Sequence, residues 1–230
     1  MKIEYASSLP RTLPVKARVY ALAAPRASAR QLQLLADGLG QRGAAAEVCS
    51  SAVAVGTQVG RWSIAMYKAS GALRAMHMDR YGLDDARPFD LSDRQAQRAA
   101  NKCVAALDLL PKAQAKIVAV THLRQGGGGP KDGARADVRV LDAGVVYGRT
   151  IDELPVIGPG GMAMVNVASD GQVVGANRIW RGLGRSVANV KLRPADWAID
   201  NFEVAVAKVR GDIKVLTSCP ACLQGLSRYG

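Results

Sequence analysis

The run Cys219-Pro220-Ala221-Cys222 is the one motif of this chain with reactive potential. Two thiols at that spacing, behind a short candidate strand from Ile213 to Thr217, suit a redox dithiol whose thiolate is stabilised by a helix start. An oxidoreductase of that kind needs a further α/β unit after the motif, and only eight residues follow Cys222. A thiol–disulfide enzyme is therefore the lesser reading. Ahead of it stand a local disulfide, two free thiols, or a bond from the tail to Cys49 or Cys103. A zinc site asks for about four ligands. Only Cys49, Cys103, His77 and His122 remain to supply them, and none is paired at ligand spacing. No metal and no cofactor is expected.

The other polar candidates have structural readings. His77 falls in an alternating strand and His122 at a strand end, too far apart to form a nucleophile–base pair. Ser70 and Ser169 read as turn residues. Asp84, Asp85 and Asp90 precede a helix, where capping and solvation account for them. Asp152 and Glu153 form a carboxylate pair best read as a solvated turn. Gly126 to Gly129 with Pro130-Lys131 has the composition of a phosphate loop but lacks the Gly-Lys-Ser/Thr ending. No catalytic residue is expected.

Binding is a better prospect. Arg178, Arg181, Arg185, Lys191 and Arg193 are dense enough to form a basic patch. The whole chain carries 31 Lys and Arg against 19 Asp and Glu, a net charge of +12, which favours acidic partners. A nucleic acid or another polyanion would gain from such a patch by counterion release. The aromatic interleaving of single-strand binders is missing, however, since only 5% of residues are aromatic. An anionic cell envelope or an acidic protein fits equally well.

These residues must be placed by a folded chain. At 230 residues, 49% hydrophobic and 22% charged, the sequence is globular and long enough for a buried core. No apolar run reaches the ~18 residues of a membrane span. Met1 to Pro14 shows no secretory leader, so the protein is either cytoplasmic or has lost one.

Helical spacing runs from Ser28 to Leu39 and from Ser92 to about Leu107, each opened by a Ser-x-x-Gln capping box. A third helix is expected from Pro194 to Gly211. Period-two stretches mark strands at Val15–Leu22, Val53–Thr57, Arg61–Lys68, Leu73–Met78, Lys116–His122, Val138–Tyr147, Met162–Val167 and Gln172–Ile179. Asp170-Gly171 joins the last two as a tight turn.

The segment after Ala69-Ser70-Gly71 aligns in element order with the segment after Ala168-Ser169-Asp170-Gly171, and a helix cap follows each at equal spacing. This predicts an α+β protein of repeated helix-plus-antiparallel-sheet units, two complete and a partial third, each sheet wrapping its own helix. The divisions fall at residues 1–90, 91–192 (with a glycine-rich insertion at 124–134) and 193–230.

The segment Val145 to Arg181, in the order V-Y-x-R, L-P-V-x-G-P-G-G, an alternating strand, D-G-x-V-V-G and W-R, resembles the tandem PepSY-like, double-cystatin-like domains of exported bacterial proteins. That resemblance implies a curved antiparallel sheet gripping a helix, usually outside the cytoplasm in a secreted or envelope protein. It implies binding, inhibition or regulation, and supplies no catalytic residues to carry over. The tail departs from the pattern by ending after one strand, which suggests truncation or a missing downstream domain. The expectation is a non-catalytic binding, regulatory or assembly module that takes a peptide or protein partner, or another copy of itself, along an exposed sheet edge, with Met162 to Val167 and the loop Arg124 to Ala134 the first places to look. A polyanion binder and a structural subunit of a polymer are the alternatives.

Overall fold

A computed structural model of the chain describes residues 14–25, 27–42, 47–82, 88–126, 138–158 and 160–192. The elements in chain order are β1 (Lys16–Leu22), α1 (Ala29–Gly38), β2 (Glu47–Ser50), β3 (Ala54–Val59), β4 (Trp62–Tyr67), β5 (Leu73–His77), α2 (Asp93–Ala106), β6 (Ala115–Gln125), β7 (Arg139–Ile151), β8 (Leu154–Pro155), β9 (Gly161–Ala168), β10 (Val173–Trp180) and β11 (Leu183–Lys191). They fall into two compact units. The smaller holds the described residues 14–21 and 184–192, a ribbon in which β11 pairs with β1. At one end of the ribbon Leu192 N–H donates to Val15 O at 2.9 Å, and Arg18 lies over the Tyr20 ring at 5.6 Å.

The larger unit, Leu22–Leu183, is one antiparallel sheet in the order β2-β3-β4-β5-β10-β9-β7-β6, with β8 folded back onto β7. Strand alternation builds its core. Trp62, Ile64 and Met66 of β4, Ala143, Val145 and Tyr147 of β7, and Ala163, Val165 and Val167 of β9 are all buried in one apolar cluster. Leu32, Leu35 and Ala36 of α1 pack on β3 and β4. α2 presents only Ala96 and Ala100 as fully buried residues, and it lies across β7, β9 and β10. Tyr147 ties β7 to α2 by donating its hydroxyl to Asn101 Oδ1 at 2.8 Å. Burial pushes the Tyr147 phenol pKa up, with the nearby Cys103 adding to the rise.

This corrects the expected fold class. Strands make up 51% of the described residues and helices 15%, with two helices among them, and the strands do not form separate sheets each closed on its own helix. The cause is the pairing of β5 with β10, the two strands that aligned as a repeat. Ala75 sits opposite Ala176 and Leu73 opposite Arg178, so each strand satisfies the other's open edge. Arg80 reinforces the junction by donating to Asp170 at 2.6 Å and to Gln172 Oε1 at 2.7 Å. The expected third helix and the strand after it lie outside the described residues.

Several local expectations also shift. β2 and β11 were not anticipated. At the β9–β10 turn Gly171 alone takes a positive φ, of 79°. Asp152 and Glu153 both take positive φ, 49° and 67°, which makes them the central pair of a tight β7–β8 hairpin turn. β9 is an inner strand paired on both sides, so Met162 to Val167 offers no open edge for an added strand. The strands at the two ends of the larger sheet's order are β2 and β6.

Candidate functional site: an arginine-lined cavity

β10 and the residues after it carry Arg178, Trp180 and Arg181 to one end of the sheet. There they line a half-open cavity of about 550 Å³ together with Gln31, Gly71 and Asp108. The strand register puts Arg178 opposite Leu73. Its Nη2 donates to Gly71 O at 3.2 Å and its Nη1 to Leu109 O at 3.4 Å. Arg181 lies just past the end of β10. Its Nη1 donates to Ala69 O at 3.3 Å, and its backbone N–H donates to Gly160 O at 3.1 Å.

A third guanidinium backs the wall. Arg149 of β7 is 4% exposed, sits 5.2 Å from the Trp180 ring centroid, and donates to Gln114 Oε1 at 2.9 Å and to Arg181 O at 2.5 Å. Glycine permits this closeness at Gly161, where a Cβ would meet Val156 Cγ1 at 2.9 Å and Arg149 Cβ at 3.0 Å.

The arginines of this corner are not held in ion pairs, although Asp108 lies on the same lining. Among the described residues, no carboxylate lies within 4.0 Å of Arg149, Arg178 or Arg181. Burial lowers the pKa of Arg178 from its ordinary value, and the Asp108 carboxylate pulls it part of the way back. Burial likewise lowers that of Arg149. Both remain cations at any physiological pH. Buried charge without a paired counter-charge is unfavourable, and the carbonyl acceptors offset only part of that.

Seven buried side-chain N or O atoms have no hydrogen-bond partner among the described residues, and four belong to residues of this cavity: Gln31 Oε1, Arg178 Nε, Trp180 Nε1 and Arg181 Nε. Native structures leave few such atoms; these four are buried behind the cavity surface, and they make this end of the sheet the most under-satisfied polar region among the described residues.

Of the five basic residues anticipated as a binding patch, Arg178 and Arg181 are brought together here. Arg185 and Lys191 belong to β11 in the ribbon unit, and Arg193 lies outside the described residues, as do Cys219 and Cys222. Among the described cysteines, exposed Cys49 and half-buried Cys103 are both free. Burial pushes the Cys103 thiol up to about 11, which leaves it unreactive near neutrality. His122 pairs with Asp93 at 3.3 Å and meets the Phe89 ring edge-on, while His77 packs edge-on against Trp62. Among the described residues no group of three or more His, Cys, Asp or Glu side chains gathers to hold a metal ion.

Sequence reasoning missed Gln31, Gly71, Asp108 and Arg149 as parts of the site. No sequence signal set Gln31 apart: it stands in the same capping-box position as Gln95, and only the structure shows that its box is left incomplete. Ser28 accepts from Gln31 N–H at 3.3 Å, whereas in α2 both halves form, Gln95 Oε1 accepting from Ser92 N–H at 3.0 Å.

No protein-family model matches the chain, and no curated protein matches it. Among solved structures, the chain is similar to the crystal structure of an uncharacterized protein from Eubacterium rectale ATCC 33656. The TM-score is 0.52 at 8% identity, over 86% of this chain and 68% of that one, a likeness of fold alone.

Proposed function

We propose that this protein is a non-catalytic binding module that holds an anionic group of its partner in the cavity between Arg178 and Arg181. The observation that carries this reading is a pair of guanidinium side chains that line one cavity with no carboxylate in salt-bridge range. Guanidinium groups present several N–H donors in a planar fork suited to carboxylate and phosphate. The net charge of +12 would draw such a partner in from a distance, more strongly at low salt. No helix among the described residues is long and apolar enough to cross a membrane, which says nothing about where the protein acts.

The test is thermal unfolding of the full chain with and without propionate, in wild type and in Arg178→Met and Arg181→Met. A ligand held only by the folded state adds about 2.7 kcal/mol at a hundredfold excess over Kd. Wild type should rise in Tm with propionate while both variants stay flat. Equal rises in all three proteins would remove the proposal.

A second reading is favoured by β6, an eleven-residue edge strand paired only to β7 among the described residues, with Val118 63% exposed. A partner peptide added along β6 would recover the backbone hydrogen bonds left open there. Unlike the cavity, that interface would be insensitive to Arg178→Met.

A further inference from the structure

The two helices leave a gap over the middle of the sheet. α1 lies on β3 and β4 and α2 on β7, β9 and β10, while β5 stands between β4 and β10. The helices meet at Gly38, where a Cβ would run into the Leu107 side chain. The start of α1 borders the arginine cavity through Gln31. Its end, Gly38 with Leu39, borders a second half-open cavity of about 460 Å³, and no described residue lines both.

The second cavity has largely apolar walls. Trp62 of β4 and His77 of β5 on its lining are register partners, their rings edge-on at 5.4 Å. α2 supplies Ala99, Lys102, Cys103 and Ala106, at the i, i+3, i+4 and i+7 spacing of one helix face. Burial holds the Cys103 thiol protonated, so it adds no charge. Leu39 and Val173 extend the apolar surface.

Its charged group and its one fixed amide are donors. Among the described residues of the lining, Lys102 is the one lysine or arginine, and none is Asp or Glu. Lys102 is exposed, forms no ion pair among the described residues, and has a flexible four-carbon stem. The Gln172 amide is oriented by Arg80, whose Nη1 donates to Oε1 at 2.7 Å. A guanidinium can only donate, so the Nε2 hydrogens of Gln172 are the end left over for another acceptor. Asp170, beside Gly171 of the lining, is itself paired with Arg80 at 2.6 Å.

We propose that this second cavity binds a carboxylate carried on an apolar body, the body against Trp62, Leu39, Ala99 and Val173 and the carboxylate taken by Lys102 and Gln172. The site is separate from the arginine cavity and stands without it. Its volume is within the range of pockets that take small ligands. An exposed lysine alone holds an anion weakly, so the apolar body supplies most of the affinity and the two donors choose the acid over its neutral counterpart.

Each cavity has its own indole, Trp62 here and Trp180 in the arginine cavity, so indole N–H signals report on the two separately. The experiment is the ¹H–¹⁵N spectrum of these signals in the full chain, assigned by Trp62→Phe and Trp180→Phe. The probes are octanoate, phenylpropionate, propionate and octanol. Octanoate or phenylpropionate should move the Trp62 signal saturably, with at least about tenfold higher affinity than propionate and about tenfold higher than octanol. Lys102→Met should cost the acids about threefold. Gln172→Glu keeps an acceptor for Arg80 but turns the free N–H end into carboxylate oxygen, and should cost them about tenfold or more. Octanol affinity should hold in both variants, which reports an intact cavity.

The tighter of the two acids names the body, a hydrocarbon chain or an aromatic ring. A Trp62 signal unmoved by either acid overturns the proposal, even where Trp180 responds. Equal affinity for octanoate and octanol in the wild type, or acid affinity unchanged in Gln172→Glu, overturns it as well.

Discussion

Asp142 shows how a single buried polar residue sets a pH dependence. It is 1% exposed, in β7, and its Oδ1 accepts from Asn166 Nδ2 at 3.0 Å, but its Oδ2 and Asn166 Oδ1 have no partner. Burial raises its pKa above the ordinary 3.8, and the Asn166 hydrogen bond and nearby His122 offset part of the rise. A carboxyl whose pKa is raised by folding stabilises most when protonated, below 3.8, and that stabilisation is lost as pH climbs through the raised value. Asp142→Asn removes the ionisation and lets the two amides exchange both hydrogen bonds. Urea unfolding should find the variant more stable than wild type at pH 7, by about 1–3 kcal/mol, with the gap narrowing toward pH 4. A variant less stable at pH 7 would contradict this account of the pair.

At the same scale, Arg178 and Arg181 were legible from the sequence because they lie three residues apart in a run of cations. Gln31, Gly71 and Asp108 were not. They come from three separate stretches of chain, and nothing in a local pattern records that β5 and β10 meet.

The elements divide by how one-sided their surroundings are. α2 and β4 bury one face throughout, and β7 and β9 alternate over part of their length before both faces are covered, so burial writes the spacing that gave them away. β2 is exposed along all four residues and β11 along nearly all nine, so neither carries an alternation to read. The open question at this scale was whether the strands form two sheets or one. It is decided by edge pairing about a hundred residues apart, which periodicity does not encode.

The two capping boxes supply a test in which the same residue type at the same helix position has opposite effects. Gln95 completes its box, so Gln95→Met should destabilise the protein by roughly 0.5–1 kcal/mol in urea unfolding. Gln31 leaves its side-chain oxygen unpartnered, so Gln31→Met should be neutral or stabilising. Equal losses in the two variants would mean that Gln31 serves α1 and not the cavity.

At the scale of the molecule, the larger unit is a sheet with a firm middle and two open sides. β5, β10, β9 and β7 have neighbours on both sides, and their inward residues share one core with α1 and α2. Amide exchange followed by NMR should therefore be slowest in β9 and β10, while alternate amides of β6, those turned away from β7, exchange early. Uniform protection along β6 would show that edge to be covered, favouring strand addition over the cavity as the binding surface.

The charge excess also acts at this scale. It should make association with an acidic partner weaken as salt is added, with Arg178 and Arg181 carrying the contact itself. Their Nε–H groups have no partner in the folded chain, and they give arginine signals that can be followed one by one. The decisive measurement is the ¹H–¹⁵N spectrum of the arginine Nε–H groups during titration with propionate, assigned by the Arg178→Met and Arg181→Met variants. Saturable downfield shifts of the Arg178 and Arg181 signals, with the other arginines unmoved, are predicted. Small shifts spread evenly over all arginines would contradict the claim that these two hold the anion.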